Sequence, residues 1–118
     1  PVLAVMSASQ LNAGPVGAGA ALKLIANAMF GIQVAAVAEL LGRMPHFGLD
    51  PAATIDLLGR TPLLSQAAKG AAGLMLADAH DPLFPVELVA KDFAYAIGDA
   101  ADSMPLAQAA LQVFERAL

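Results

Sequence analysis

The sequence predicts an all-α domain of five helices, one of them long and central. Three observations support this class. No stretch of the 118 residues alternates apolar and polar side chains with the period of two that marks a half-buried strand. Alanine, leucine and methionine, which favour helix, fill the segments between the glycines and prolines. A capping residue followed by proline, which is typical of a helix start, occurs more than once.

The long helix is predicted from Ala18 to about Phe47. Its strong breakers are Gly31, Gly42 and a late Pro45, and Pro45 should disturb only the last turn. A helix without a polar face is a buried helix. Four shorter helices can hardly surround a rod of roughly 42 Å, at 1.5 Å per residue. The sequence therefore predicts self-association, as a homodimer formed through this helix.

Four shorter helices follow the long one. Asp50-Pro51 and Thr61-Pro62 each place a capping oxygen before a proline at the first helical position, so each pair predicts a helix start. A loop precedes the next helix, and the last one begins near Pro105. The predicted ranges are about 51–58, 62–76, 86–102 and 105–118.

Composition and charge exclude several classes of partner. Six basic residues are scattered along a chain of net charge −4, so no clustered basic face is available for nucleic acid. The uncharged run 24–38 is shorter than the roughly 20 residues that span a bilayer and includes Asn27 and Gln33, so no membrane association is predicted. The absence of cysteine suits a cytoplasmic protein.

The glycines before the long helix do not form a dinucleotide fingerprint. Gly14, Gly17 and Gly19 lack the spacing G-x-G-x-x-G, and Glu39 falls within a helix instead of ending a strand. These glycines are better interpreted as a tight entry turn.

The segment DAHD could form a metal site, because Asp78, His80 and Asp81 lie close together near Glu87. Helix capping and solvated loop carboxylates are the favoured interpretation, and no metal site is predicted.

Lys23 and Asn27 are spaced four residues apart and therefore share one face of the long helix, among apolar neighbours. Two interpretations are open. In the structural one, the lysine stem lies along apolar surface and Asn27 bonds a nearby backbone carbonyl. In the functional one, the amine exchanges a proton with a substrate hydroxyl or carbonyl.

Two motifs in this order carry a resemblance to a known family. The first motif, G-x-x-x-K-x-x-x-N, occurs as Gly19, Lys23 and Asn27 within GPVGAGAALKLIANAMFGIQVAAVAEL. The second motif is a phenylalanine followed by a helix with Lys-Asp, and it occurs within FPVELVAKD. Together they resemble the C-terminal helical domain of the β-hydroxyacid dehydrogenases, the family of 3-hydroxyisobutyrate dehydrogenase, with 6-phosphogluconate dehydrogenase as a more distant relative. The resemblance covers nearly the whole chain.

The resemblance implies a function and a set of site residues. Lys23 would be the catalytic acid/base in the oxidation of a small hydroxyacid to its semialdehyde, and Asn27 would hold the lysine and the substrate in register. The other residues that it places in the substrate and cofactor cleft are Gly19, Phe84, Lys91 and Asp92.

The resemblance also implies a missing partner domain. NAD or NADP would be bound mainly by an N-terminal Rossmann domain, of which residues 1–13 look like the remnant, while 14–118 form the helical substrate-binding and dimerisation domain. The chain alone is then expected to be inactive. The alternative is a helical dimerisation or interaction module without catalytic activity.

Overall fold

The computed structural model describes residues 11–79, 81 and 84–118, and within them the chain is all-helical, with five α-helices and no strand. This confirms the predicted fold class. The helices are α1 (Ala18–Arg43), α2 (Pro51–Leu58), α3 (Gln66–Leu76), α4 (Val86–Ile97) and α5 (Pro105–Glu115). Short 3₁₀ turns occupy Met44–Phe47 and Ala101–Ser103. Most of the segment interpreted as a domain remnant, residues 1–10, lies outside the described residues.

The ends of α1 follow from its glycines and its proline. Gly17 caps the N-terminus with φ 95°, in the left-handed region where glycine is favoured. At the other end Pro45 lacks a backbone N–H, and the last predicted turn is a 3₁₀ turn in place of α-helix. Gly48, with φ 69°, then stops the chain from continuing as helix.

The predicted start of α3 at Thr61-Pro62 is wrong. The N-cap is Ser65, whose hydroxyl oxygen accepts a hydrogen bond from the backbone N–H of Ala68 at 3.1 Å. The Thr61 hydroxyl instead donates to the carbonyl oxygen of Leu58 at 2.6 Å, so it closes the turn after α2. The predicted start at Asp50 is confirmed, because its carboxylate accepts from the backbone N–H of Ala53 at 2.8 Å.

The end of α4 also differs from the prediction. This helix stops at Ile97, and Gly98 with φ 49° follows it. Residues 101–103 form a separate 3₁₀ turn, although the sequence predicts that the helix runs to about 102. A glycine at a positive φ breaks the i to i−4 hydrogen-bond ladder, and this accounts for the earlier end.

Two hydrophobic clusters share α1. The first joins α1 to α4 and α5, and the second joins it to α2 and α3. Phe93 is the largest fully buried side chain, and its ring stacks on Phe114 with centroids 5.8 Å apart. The buried residues of the first cluster are Ala35, Val89, Ala90, Phe93, Ile97, Ala107, Ala110 and Phe114. Those of the second are Val37, Met44, Ile55, Leu64, Ala68 and Ala72.

A large part of α1 remains uncovered by the chain's own helices. The apolar side chains of Leu22, Ile25, Met29 and Leu40 are all more than half exposed. Within the part of the chain that the structure describes, 18–47 is the one helical segment whose length and hydropathy would allow it to cross a membrane, a test that core helices of globular proteins also pass. Only 17% of its most apolar stretch is buried, and an exposed apolar surface of this kind is typical of an interaction site.

Gly31 allows α1 and α4 to pack closely, and its replacement by alanine tests this contact. An added Cβ would lie 2.6 Å from Cε2 and 2.8 Å from Cζ of Phe93, a ring that is 1% exposed and cannot swing into solvent. We expect Gly31→Ala to lower the free energy of unfolding by about 1–3 kcal/mol, as overpacking does. Urea denaturation followed by circular dichroism measures this change.

Gly42→Ala is the matched control, because Gly42 lies in the same helix and an added Cβ there meets nothing within 4 Å. That variant should be stabilised by about 0.5–1 kcal/mol through helix propensity alone. Equal stabilisation of both variants would contradict the close packing at Gly31.

Candidate active site

The structure brings Lys23, Asn27 and Asp92 together across the contact between α1 and α4. The Asn27 side-chain amide donates to Oδ2 of Asp92 at 2.5 Å, and Nζ of Lys23 donates to the same oxygen at 3.3 Å. Asp92 lies 65 positions after Asn27 in the sequence and 69 positions after Lys23. The two motifs that the sequence singled out therefore meet at one carboxylate.

Helix packing explains why Asp92 reaches α1. Phe93 fits against Gly31, where the absence of a side chain lets the two helices approach. Asp92 precedes Phe93, and Asn27 lies one turn before Gly31 on the same side of α1, so the close contact places the carboxylate beside the amide. Lys23 lies a further turn along and bonds to the same oxygen.

The Asp92 carboxylate is buried yet favoured in its ionised form. The hydrogen bond from Asn27 is the main cause that lowers the pKa of Asp92, and burial acts in the opposite direction. The hydrogen bond and charge of Lys23 lower this pKa further, as does the charge of Lys91, whose Nζ lies 3.9 Å from Oδ1. The net effect is a lowered pKa, so Asp92 is a carboxylate at neutral pH.

Exposure separates the members of this cluster. The Asp92 side chain is 6% exposed, whereas those of Lys23 and Lys91 are 65% and 49% exposed. Two ammonium groups and one carboxylate leave the cluster with a net charge of +1. An anionic ligand arriving from solvent would meet the ammonium groups and not the carboxylate.

The structural interpretation of Lys23 and Asn27 fits only in part. The lysine stem does leave α1 among apolar residues, but the Asn27 amide bonds the Asp92 carboxylate and not the backbone carbonyl that this interpretation requires. The ammonium likewise has a carboxylate partner. The spacing of the two residues could show that they share a face of the helix, but it could not show what they face.

Gly19 lies in the first turn of α1, one turn before Lys23 on the same face. A Cβ at this position would meet nothing within 4 Å, so the space beside Lys23 at this end of the helix is open.

Phe84 lies two residues before the start of α4, whereas Lys91 and Asp92 lie within that helix. Its side chain is 41% exposed and lines a groove of about 1080 Å³ whose floor includes Phe30, Gly31 and Val34. Asp92 is six residues, roughly 9 Å, from the start of α4. Phe84 therefore borders a neighbouring groove, and its place in a substrate cleft stays a prediction.

Tyr95 is a side chain near the cluster that sequence reasoning did not select. It follows Lys91 by one helical turn, and Nζ of Lys91 lies 6.0 Å from the centre of its ring. The spacing of four residues on a predicted helix was the available signal. His80, part of the possible loop metal site, lies outside the described residues.

The lowered pKa of Asp92 predicts how its protonation and the stability of the chain depend on pH. The Asp92 carboxyl carbon should titrate below the ordinary aspartate value of about 3.9 in an NMR experiment. A carboxylate whose pKa is lower in the folded state stabilises the fold above about pH 4, and this contribution is lost as pH falls through the folded-state pKa.

Asn27→Ala should raise the pKa of Asp92, because it removes the largest cause of the downward direction. Asp56 serves as the internal reference: its pKa is lowered by hydrogen bonds from Arg60 and Lys69, which this substitution leaves in place. An Asp92 pKa at or above 3.9 in the unsubstituted chain would contradict the assigned hydrogen bonds.

Comparison with known proteins supplies a family. Residues 17–118 match the family model described as NAD-binding of NADP-dependent 3-hydroxyisobutyrate dehydrogenase. A comparison with curated protein sequences gave no match. The family match spans nearly the whole chain and includes both motifs whose side chains meet at Asp92. The chain therefore belongs to the NAD-binding family of NADP-dependent 3-hydroxyisobutyrate dehydrogenase, a family of NAD(P)-dependent oxidoreductases.

Proposed function

We propose that the chain is the C-terminal helical domain of an NAD(P)-dependent β-hydroxyacid dehydrogenase, which oxidises a small hydroxyacid to its semialdehyde with Lys23 as the acid/base. One observation carries this proposal: the Lys23 side chain is 65% exposed while its Nζ is bonded to Asp92, a buried carboxylate of the second motif. The amine is thus both accessible to a substrate and fixed in place, as acid/base catalysis requires.

In the proposed reaction, Nζ of Lys23 in its neutral form accepts the proton of the substrate hydroxyl, and the C–O bond becomes a carbonyl. A bound nicotinamide cofactor supplies the chemistry of hydride acceptance from the same carbon. In the reverse direction, the Lys23 ammonium returns the proton to the developing alkoxide. With Lys23 protonated, as in the reverse direction, the cluster has a net charge of +1, which suits a substrate that carries a carboxylate; with Lys23 neutral, Lys91 still offers an ammonium group.

Binding of NAD or NADP is proposed to need a second domain. The described residues contain no strand, so the strand, glycine loop and helix that hold a dinucleotide pyrophosphate are not among them. A Rossmann domain N-terminal to this chain would supply them. On this chain, Lys91 has a half-exposed ammonium that could pair with an anionic group of the cofactor, and Phe84 borders the adjoining groove. The complete enzyme is proposed to be cytoplasmic.

A second copy of the chain is the proposed partner of the uncovered face of α1. Leu22, Ile25, Met29 and Leu40 lie on one side of α1 by their helical spacing, and their exposed side chains give this side an apolar surface. Burying such a surface is the main driving force of protein association. The same observation favours the second candidate function, a dimerisation module without catalytic activity.

Substitution of Lys23 tests the proposed reaction. The complete polypeptide that the gene encodes would be assayed with NAD and with NADP on a panel of small β-hydroxyacids. Lys23→Ala should lower kcat/KM by about 10²–10⁴-fold, the usual contribution of a general acid/base. The Kd of the cofactor, measured by fluorescence, should stay within about threefold, because Lys23 is proposed to act on the substrate.

Lys69→Ala is the matched control, since Lys69 also pairs with an aspartate, Asp56, but lies between α2 and α3. Its turnover should equal that of the unsubstituted enzyme. Unchanged turnover in Lys23→Ala would remove Lys23 from the mechanism. Absence of activity with every hydroxyacid would favour the dimerisation module.

Sedimentation tests the proposed homodimer. The chain should sediment as a dimer, and Met29→Glu should shift it to a monomer, because a charge would then be buried in the apolar interface. Met29 is 65% exposed within one copy, so this substitution leaves the fold intact. Leu57→Glu is the control, as Leu57 is 63% exposed on a different helix, α2. A monomeric unsubstituted chain, or a dimer that tolerates Met29→Glu, would contradict the proposed interface.

A further inference from the structure

Asp92 is a buried charged group whose role the proposed reaction does not specify. We propose that Asp92 is a positioning residue: it holds Nζ of Lys23 and the amide of Asn27 in a fixed arrangement, and it does not itself contact the substrate. This inference rests on the proposed function for its consequence in catalysis. The contacts from which it is argued all lie within this chain, so they can be tested without the catalytic reaction.

The bonding of Asp92 argues against substrate contact. Its side chain is 6% exposed, and Oδ2 accepts hydrogen bonds from both Lys23 and Asn27. Its other oxygen, Oδ1, faces the ammonium of Lys91 at 3.9 Å. A substrate carboxylate would also be repelled by a group of the same charge. The resemblance to the dehydrogenases places Asp92 in the cleft, and the geometry assigns it to the support of that cleft.

The inference adds a role for Asn27 to the one that the resemblance implies, which is to hold the lysine and the substrate in register. Its amide nitrogen donates to Asp92 at 2.5 Å, and this bond does not depend on the protonation state of Lys23. When the lysine is neutral during turnover, Asp92 loses its nearest charged partner, and a buried carboxylate without a partner is costly. The bond from Asn27 and the charge of Lys91 remain, so Asp92 stays ionised and continues to hold the amine.

Few charged groups face Asp92. A change in the pH–rate profile on substitution of Asp92 can therefore be assigned to those groups. Lys23 faces it from α1, and Lys91 lies beside it on α4. The remaining helix packed on α4 is α5, whose one charged residue is Glu115 at its last position. Removal of the Asp92 charge therefore takes an ion-pair partner from two lysines, of which Lys23 is the nearer to the carboxylate.

Chemical labelling of amines tests the positioning without any enzyme assay. Acetic anhydride would be applied to the 118-residue chain and the rate at each lysine followed by mass spectrometry. Asp92→Asn should raise the rate at Lys23 by about threefold, the effect of losing one solvent-exposed ion pair. Lys69 should react as before. An unchanged rate at Lys23 would show that Asp92 does not hold the amine, and would overturn the proposal.

Asp56→Asn is the matched control, because it removes another carboxylate that pairs with a lysine, in the exposed cluster with Lys69 and Arg60. It should raise the labelling rate at Lys69 and leave Lys23 unchanged. If Asp92→Asn fails to fold by circular dichroism, Asp92→Ser replaces it, and the same rise in the labelling rate at Lys23 is expected. Asp92→Glu is the charge-conserving control. That variant keeps the charge but displaces it by one methylene group, and it should keep the labelling rate of Lys23 near that of the unsubstituted chain.

Kinetics of the complete polypeptide distinguish positioning from substrate contact. Asp92→Asn should lower kcat by about tenfold or more with KM changed by less than about threefold, and should shift the pH–rate profile. Asp92→Glu should also lower kcat, because a misplaced acid/base loses rate. A raised KM with unchanged kcat would identify Asp92 as a substrate contact. If the complete polypeptide is inactive, the proposed function fails, and the labelling result alone decides the positioning.

Discussion

The close approach of α1 and α4 is the constraint on which the rest of the site depends. Gly31 has no side chain, and the ring of Phe93 fills the space that a Cβ would occupy. Because Asp92 is the neighbour of Phe93 in the chain, the same contact that completes the hydrophobic cluster also brings a carboxylate against α1. Packing and candidate chemistry are thus set by a single helix crossing.

The chain contains two aspartate–lysine clusters, and their surroundings differ. Asp56 is 52% exposed and bonds Arg60 and Lys69 at the surface between α2 and α3, where water and salt screen the charges. Asp92 is almost fully buried, while its lysine partners extend into solvent. The first arrangement is typical of a surface ion pair. The second leaves a supported amine available to a ligand, and this difference makes it the candidate site.

Local signals predicted the helices well and the contacts between them poorly. Asp50 before Pro51 identified a true N-cap, and the spacing of Lys23 and Asn27 correctly placed them on one face. Thr61-Pro62 had the same local chemistry as Asp50-Pro51, yet Ser65 supplies the cap. Only the packing of the second cluster decides between two candidate caps four residues apart, and the sequence does not encode that packing as a local pattern.

The site could be predicted as a set of residues but not as an arrangement. The two motifs identified Lys23, Asn27 and Asp92, whereas their meeting at one oxygen depends on where α4 crosses α1. Phe84 lies before the start of α4 and lines a groove beside the cluster, so the motif alone could not show how it is placed relative to Lys23. Tyr95 has only its spacing of four residues from Lys91 as a signal, and many pairs on the surface of a helix share that spacing.

The shared position of α1 in both hydrophobic clusters has a mechanical consequence. Ala35 packs in the first cluster and Val37, two residues later, in the second, so the helix cannot rotate about its axis without disturbing both. Its 26 residues form a stiff rod of about 39 Å. Lys23 lies near one end of this rod, and Val37, nearer the other end, packs in the second cluster with residues of α2 and α3. A movement of the lysine end would therefore be transmitted along the rod to the second cluster, although the hydrogen bonds of Lys23, Asn27 and Asp92 involve neither α2 nor α3.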